Sequence, residues 1–186
     1  VPVKISRAAT MIYDVFASGR PLAYVRTAEE QRVARALRDV APMLLGDAAR
    51  NLWRWSLTEG LHREGEAAQA GTENPRTALD FIVEQREPGL FLLQDFHEPL
   101  RESPEIRRRL RDIYENCFRQ QKFVVITSPV RFIPEEVERS MIFLELRPPD
   151  VPELIDFLRD EIGESTRQPG NAAPDEEVLH QLANAL

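Results

Sequence analysis

"GLFLLQD", Gly89 to Asp95, is the stretch that decides the fold of this chain. An apolar run of this length with no polar alternation predicts a strand that is buried on both faces of a sheet. Such a strand needs helices on both sides of the sheet. The stretch therefore predicts a three-layer α/β domain with a mainly parallel sheet, and Asp95 is expected where the strand surfaces.

Four further segments have strand patterns, and helical patterns lie between them. The four segments are "PLAYVRT" (Leu22 to Thr27), "NLWRWSLT", "KFVVITS" and "SMIFLEL". After Leu22 to Thr27, the apolar spacing of "AEEQRVARALRDVAP" predicts a helix, with Thr27 and Glu30 as a capping box. Trp53 and Trp55 alternate with polar residues, which favours a half-covered strand at a sheet edge. The polar segment "EGLHREGEAAQAGTENP" is predicted to be a surface loop.

The domain organisation follows from this succession. Residues 1–19 are predicted to be an N-terminal extension, and residues 20–149 the five-stranded α/β domain. Residues 150–186 have the pattern of two amphipathic helices and are expected to begin a helical, lid-like subdomain. Because the sequence starts at Val1, lacks a signal-peptide pattern and stops within that subdomain, we expect a fragment of a longer chain.

Composition limits the classes of function. The 186 residues carry a net charge of -7, which argues against general nucleic-acid binding. No apolar run approaches the length of a membrane span, so no membrane association is expected. A single cysteine, Cys117, is typical of a reducing compartment, and we expect a cytoplasmic protein and a buried, inert thiol. The histidines and Cys117 have no metal-ligand spacing, and no metal site is predicted.

A family resemblance rests on phrases in a fixed order. "PLAYVRTAEEQRVARALRDVA", "LWRWSLTEGL", "NPRTALDFI", "GLFLLQDFHEPL", "IRRRLRDI" and "KFVVITSPVRFIPEEVERSMIFLELRPPDVPELIDFL" resemble the N-terminal region of AAA ATPases of the Ycf type, a group of chloroplast, cyanobacterial and bacterial proteins. In that group an AAA-like domain without a P-loop precedes a complete ATPase module. The resemblance implies a sheet order of 5-1-4-3-2 in the five predicted strands.

The same resemblance implies how this domain would be used. ATP and Mg²⁺ are expected to be cofactors of the parent protein and not of this fragment. The expected partners are the chain's own C-terminal ATPase module and neighbouring subunits. The domain itself is expected to be a non-catalytic structural or protein-interaction module, with no catalytic residues.

The position of the phosphate loop carries the wrong residues for phosphate binding. A P-loop needs glycines, whose backbone N–H groups surround the phosphates, followed by a lysine. This chain has "YVRTAEEQRVAR" there, with no glycine and no lysine, and Glu29 and Glu30 add negative charge. The segment is predicted not to bind a triphosphate.

Three further positions match an AAA site only in part. Asp95 stands where the magnesium carboxylate of a Walker B strand lies, but Phe96 replaces the second acid. Thr127 and Ser128 stand at a sensor-like position after their strand. For each of these residues an ordinary strand-end role, with Asp95 bonding loop amides, is the alternative.

The candidate interface residues are Trp53, Trp55, Arg107, Arg108 and Arg139. The tryptophans would form an aromatic patch or pack in the core. The arginines of "RRRLR" would dock an acidic partner or form a solvated face. Arg139 would act as an arginine finger toward a neighbouring subunit or complement the end of a helix.

A different class of protein also fits some of these positions. Asp95 at the end of the third strand, Thr127 and Ser128 after the fourth, and Arg147-Pro148 after the fifth resemble a phosphoacceptor receiver domain with Asp95 as the acceptor. Arginine stands where a receiver needs lysine. Phosphorylation by a small-molecule phosphodonor such as acetyl phosphate would separate the two alternatives, since only a receiver should gain mass at Asp95.

Overall fold

The computed structural model describes residues 5–165 and 176–185 of the chain. The strands are β1 (Leu22–Arg26), β2 (Leu52–Ser56), β3 (Gly60–Arg63), β4 (Gly89–Gln94), β5 (Lys122–Ser128) and β6 (Ile142–Glu145). The helices are α1 (Arg7–Ala17), α2 (Glu30–Leu45), α3 (Pro75–Glu84), α4 (His97–Glu102), α5 (Pro104–Gln120), α6 (Glu135–Glu138), α7 (Val151–Ser165) and α8 (Glu176–Ala185).

The strands form one six-stranded sheet in the order β3-β2-β4-β5-β1-β6. All pairs are parallel except β2 with β3. The predicted strands correspond to β1, β2, β4, β5 and β6, so the expected order 5-1-4-3-2 is confirmed. A receiver domain has the order 2-1-3-4-5, with its first strand between the second and third. Here β1 lies between β5 and β6, and the receiver alternative is wrong.

Strand β3 is missing from the sequence prediction, which placed it in a surface loop. The strand has four residues, of which only Leu61 is large and apolar, and its hairpin partner is β2. Gly60 begins β3 with a φ of 72°, a backbone conformation that favours glycine. A strand this short is below the length at which alternation separates it from a loop.

The stretch that decides the fold occupies the middle of the sheet as predicted. Every residue of β4 is buried. Phe91 and Leu93 join a core cluster with α3 and α5 on one face, whereas Leu90 and Leu92 join a second cluster with α1 and α2. Burial of each such side chain contributes about 1.5 to 3 kcal/mol, so this strand ties the three layers together.

Helix α1 lies within the segment that was predicted to be an N-terminal extension, residues 1–19. Ser6 caps the helix by accepting the N–H of Ala9 at 3.1 Å. Ile12 and Phe16 are buried in the same cluster as α2, and the Phe16 ring lies 4.8 Å from that of Phe123. The helix is therefore a layer of the core, because its apolar residues recur at helical spacing and cover the sheet.

The two tryptophans pack in the core, which is one of the two alternatives given for them above. Trp53 is 3% exposed and Trp55 is 1% exposed. The Trp53 ring contacts Phe81 of α3 at 4.8 Å, and Trp55 Nε1 donates to the carbonyl of Thr72 at 2.6 Å. Because β3 pairs with the outer edge of β2 and α3 covers its face, the rings are core residues and offer no exposed interface patch.

At the start of β5, Lys122 is fully buried beside Cys117. Lys122 Nζ donates to the carbonyls of Ile82 and Val83 at 2.8 and 3.1 Å, in the last turn of α3. Burial lowers the pKa of Lys122. Burial also raises the pKa of the Cys117 thiol to about 12, and the predicted burial of this side chain is confirmed.

The chain forms two compact units, the first ending at Leu146 and the second beginning at Arg147. The second unit contains the two helices predicted after residue 149. In it, Ile155 of α7 packs with Leu179 and Ala183 of α8. None of the helices in the described ranges is long and apolar enough to cross a membrane.

Candidate functional site

The carboxyl ends of β1, β4 and β5 bring the predicted site residues to one edge of the sheet. Gln94 pairs with Thr127, and the N–H of Asp95 donates to the Thr127 carbonyl at 2.9 Å. The N–H of Thr27 donates to the Ser128 carbonyl at 2.9 Å. Ligands of open α/β sheets bind outside this edge, so it is the place to look for a site.

The turn between β1 and α2 is closed by its own side chain. Thr27 Oγ1 accepts the N–H of Glu29 at 2.9 Å. Helix α2 begins at Glu30, its N-cap residue is Glu29, and no side chain caps it. The predicted capping box of Thr27 and Glu30 does not form, because the Thr27 hydroxyl bonds within the turn instead.

The carboxylate of Glu30 reaches back across the end of the sheet. Glu30 Oε2 accepts Gln94 Nε2 at 2.5 Å. Burial raises the pKa of Glu30 and so does the charge of Asp95, while the Gln94 hydrogen bond and the charge of Arg54 lower it without reversing the shift. A carboxylate in the first turn complements the helix dipole at the place where a phosphate would otherwise lie.

Asp95 lies one residue beyond β4 in a left-handed conformation with a φ of 51°. Its side chain is 61% exposed, and its Oδ1 lies 3.8 Å from His97 Nδ1. Within residues 5–165 and 176–185 its carboxylate accepts no hydrogen bond from a loop amide. The expected amide-bonding cap is therefore wrong. Phe96 is fully buried against Trp55, with ring centroids 4.9 Å apart, so the position of the second acid belongs to the core.

Sequence reasoning missed the role of His97. Its Nδ1 lies 2.9 Å from Ser128 Oγ, which also accepts the N–H of Val130 at 3.1 Å, and its Nε2 lies 3.2 Å from Glu98 Oε1. A Ser-His-Glu series invites comparison with a nucleophilic triad. Ser128 is fully buried, however, so no substrate can reach Oγ. The contact between His97 and Ser128 joins α4 to the end of β5.

Thr127 is the other sensor-like residue. It is fully buried, and its Oγ1 has no hydrogen-bond partner in the part of the chain that the structure describes. Across the same part, no group of three or more His, Cys, Asp or Glu side chains could hold a metal ion.

The three candidate interface arginines lie in different surroundings. Arg107 is largely buried and bonds the carbonyls of Leu100 and Arg101, and its Nε lies 3.3 Å from Glu136. The side chain of Arg108 is 66% exposed and pairs with Asp112. Arg139 is exposed at the end of α6. Arg107 thus has a structural task, whereas Arg108 and Arg139 reach solvent.

The sheet order and the position of Asp95 at the end of a central strand define an AAA-type α/β domain. Residues 9–146 match the family described as SpoVK-like AAA ATPase, N-terminal domain, and the chain belongs to that family. It is thus a domain of an AAA ATPase. No curated protein matches the chain.

Two solved structures are similar to this chain. PCH-2 from C. elegans shares 10% identity at a TM-score of 0.55, over 95% of this chain and 55% of that chain. A chain in the HORMA:CdnC:Trip13 complex from E. coli MS115-1 shares 15% identity at a TM-score of 0.44, over 96% of this chain and 62% of that chain. The likeness to PCH-2 shows a shared fold. This chain spans 55% and 62% of the lengths of these two structures.

Proposed function

We propose that this domain is a non-catalytic structural or protein-interaction module of an AAA ATPase of the Ycf type. The active module lies further along the parent chain, where it binds ATP and Mg²⁺. The partners of the domain are that module and neighbouring subunits, and the parent protein is cytoplasmic. Arg108 and Arg139 are the predicted interface residues whose exposure supports such contacts.

The observation that carries the proposal is the turn between β1 and α2. A phosphate loop leaves its backbone N–H groups free to donate to phosphate oxygens. Here the N–H of Glu29 already donates to Thr27 Oγ1. Each charge-assisted bond contributes about 1.5 to 3 kcal/mol net, so the loss of this one donor weakens binding by about one decade or more.

The charges at the same edge of the sheet also disfavour the binding of a triphosphate. Glu30 and Asp95 place two mutually repelling carboxyl groups near the ends of β1 and β4, whereas the Glu29 carboxylate pairs with Arg32 at 3.0 Å. A triphosphate would meet repulsion there, and Gln94 Nε2 is already engaged by Glu30. The carboxylate of Glu30 therefore takes the position and the helix-dipole interaction that a nucleotide phosphate would need.

Calorimetric titration of the chain with Mg-ATP tests the proposal. We expect no binding tighter than about 10 μM, the level that corresponds to roughly 7 kcal/mol. A tighter site would contradict the non-catalytic assignment. In the parent protein, Asp95→Asn is expected to leave the rate of ATP hydrolysis unchanged. Loss of hydrolysis with unchanged thermal stability would show that Asp95 takes part in the chemistry.

A further inference from the structure

A cleft of about 320 Å³ lies beside α2. Its volume is at the lower end of the range for small-molecule sites. Both apolar and charged side chains line it. The apolar residues are Ala34, Ala41, Pro42, Ala49 and Leu52, and the charged residues are Arg38, Arg50, Arg54, Arg63, Glu64 and Glu66.

The charge of this lining is opposite to that of the chain. Four arginines and two glutamates leave a formal charge of +2, although the whole chain carries -7. A local positive charge in an acidic protein attracts anions to that cleft and not to the surface in general.

Two of the four arginines are already paired. Arg38 contacts both carboxylate oxygens of Glu64 at 3.2 Å. Arg63 bonds Glu66 at 2.8 Å and also donates to Asn51 Oδ1 at 3.1 Å. Arg50 and Arg54 have no ion pair within the described parts of the chain. The positive charge of the cleft therefore resides on Arg50 and Arg54.

Arg54 has an unsatisfied donor. Its neighbours Trp53 and Trp55 pack in the cluster with α3 and α5, so Arg54 points to the opposite face of β2, toward α2. Its Nε is buried and has no hydrogen-bond partner among the described residues. Because that nitrogen is closed to solvent, a ligand in the cleft would meet the terminal guanidinium nitrogens of Arg54 and not Nε.

We propose that the cleft binds a small molecule that carries a phosphomonoester group. A phosphomonoester has a charge near -2 at neutral pH, which matches the lining, and its oxygens accept the forked N–H groups of arginine. The phosphate lies between Arg50 and Arg54, and the organic part of the molecule lies on Ala34, Ala41 and Leu52. The lining includes none of Thr27, Glu29, Glu30 and Asp95, which stand at the edge where a nucleotide would lie in an AAA ATPase.

Phenyl phosphate is the probe that tests the proposal, because it joins a phosphate to an apolar group. We expect saturable binding by calorimetry with a dissociation constant of about 1 mM or tighter. Arg54→Gln and Arg50→Gln are each expected to weaken binding about tenfold or more, as expected for the loss of one charged donor. The matched control is Arg119→Gln, an exposed arginine of α5 outside the cleft, which should bind as the unchanged chain does.

Further probes decide the chemistry of the ligand. Benzoate and inorganic phosphate should each bind more weakly than phenyl phosphate, because one lacks the second charge and the other lacks the apolar part. A short phosphoserine peptide should also bind more weakly than phenyl phosphate if the source is a small molecule. Equal or tighter binding of any of the three, or binding that Arg54→Gln leaves unchanged, would overturn the proposal.

Two measurements keep this test independent of folding and of the proposed function. Circular dichroism of each variant shows whether it folds, and Arg50→Gln, at an exposed position, tests the cleft if Arg54→Gln does not fold. Mg-ATP binding that disappears in Arg54→Gln belongs to the cleft and supports this proposal. Mg-ATP binding tighter than about 10 μM that survives Arg54→Gln contradicts the non-catalytic assignment. In that case the phenyl phosphate titration alone decides whether the cleft is a binding site.

Discussion

The two ends of helix α2 differ in charge and in hydrogen bonding, although one helix supports both. At the N-terminal end, Glu30 accepts a hydrogen bond from Gln94. Along the C-terminal half, the cleft contains Arg54, whose Nε has no hydrogen-bond partner among the described residues. At the edge where an AAA protein binds nucleotide, the chain's own groups thus bond one another. Beside the cleft, by contrast, Arg54 Nε has no acceptor among the described residues.

The largest expected effect comes from loosening the helix that both regions share. Leu37 is fully buried in the core cluster beneath α2. We expect Leu37→Ala to lower the free energy of unfolding by about 2 to 5 kcal/mol, the range for such truncations. Urea denaturation measures the loss. A change below about 1 kcal/mol would show that α2 is not anchored through this side chain.

At the cleft, removal of the unused donor is expected to stabilise the chain. Arg54→Met keeps the length of the side chain and removes the buried Nε. We expect a gain of about 1 kcal/mol in the free energy of unfolding without phosphate, and loss of any stabilisation by phenyl phosphate. Thermal denaturation with and without the probe measures both. Destabilisation by more than about 1 kcal/mol would mean that Arg54 supports the fold.

At the acidic end, the prediction concerns pH. Because the pKa of Glu30 is raised in the folded chain, the folded chain holds the Glu30 proton more tightly than the unfolded chain does. The stability contributed by the protonated form is therefore present below the usual pKa of 4.5 and is lost as pH rises through the folded value. Glutamine has no proton to lose in this pH range, so Glu30→Gln should not lose this stability as pH rises.

The effect of Glu30→Gln on the free energy of unfolding is large enough to measure. Glu30→Gln should raise the free energy of unfolding at pH 7 by about 0.2 to 1 kcal/mol, the scale of charge interactions near a surface. At pH 4 the difference should be smaller. Denaturation of both chains across this pH interval checks the sign, and a larger difference at pH 4 than at pH 7 would contradict the account.

The smallest expected effect is at Asp95. Asparagine adopts the left-handed conformation readily, and Asp95→Asn also removes the repulsion with Glu30. We expect stabilisation by a few tenths of a kcal/mol, about 0.5 at most. Asp95→Val is the control, because a branched side chain at this φ should cost about 1 to 2 kcal/mol. If Asp95→Asn costs as much as Asp95→Val, the carboxylate has a bonding role.

Much of the fold was predictable because it depends on local pattern. The run Gly89 to Asp95 has one stable placement, in the centre of a covered sheet, and the structure confirms it. The order of the strands depends on contacts between distant segments, and only the family resemblance supplied it. Strand β3 and helix α1 were not predicted: β3 has too few residues for a pattern, and the 11 residues of α1 barely fill the window in which helical spacing can be recognised.

The residues of the candidate site could be predicted from the sequence, but the hydrogen bonds that they form could not. The sequence placed Asp95, Thr127 and Ser128 at one edge, since strand ends of a parallel sheet meet there. The contact of His97 with Ser128 depends on where α4 begins relative to β5, which no local spacing shows. The same holds for Trp53 and Trp55, because alternation alone does not say whether a further strand covers the edge.

Backbone amide NMR during titration with Mg-ATP shows whether the turn between β1 and α2 binds a triphosphate, because each amide signal reports on its own residue. The account predicts that the amide signals of Ala28, Glu29 and Glu30 do not shift at Mg-ATP concentrations up to about 1 mM, since the N–H of Glu29 is held by Thr27 Oγ1 and the carboxyl groups repel phosphate. Saturable shifts of these three amides with a dissociation constant below about 10 μM would contradict it.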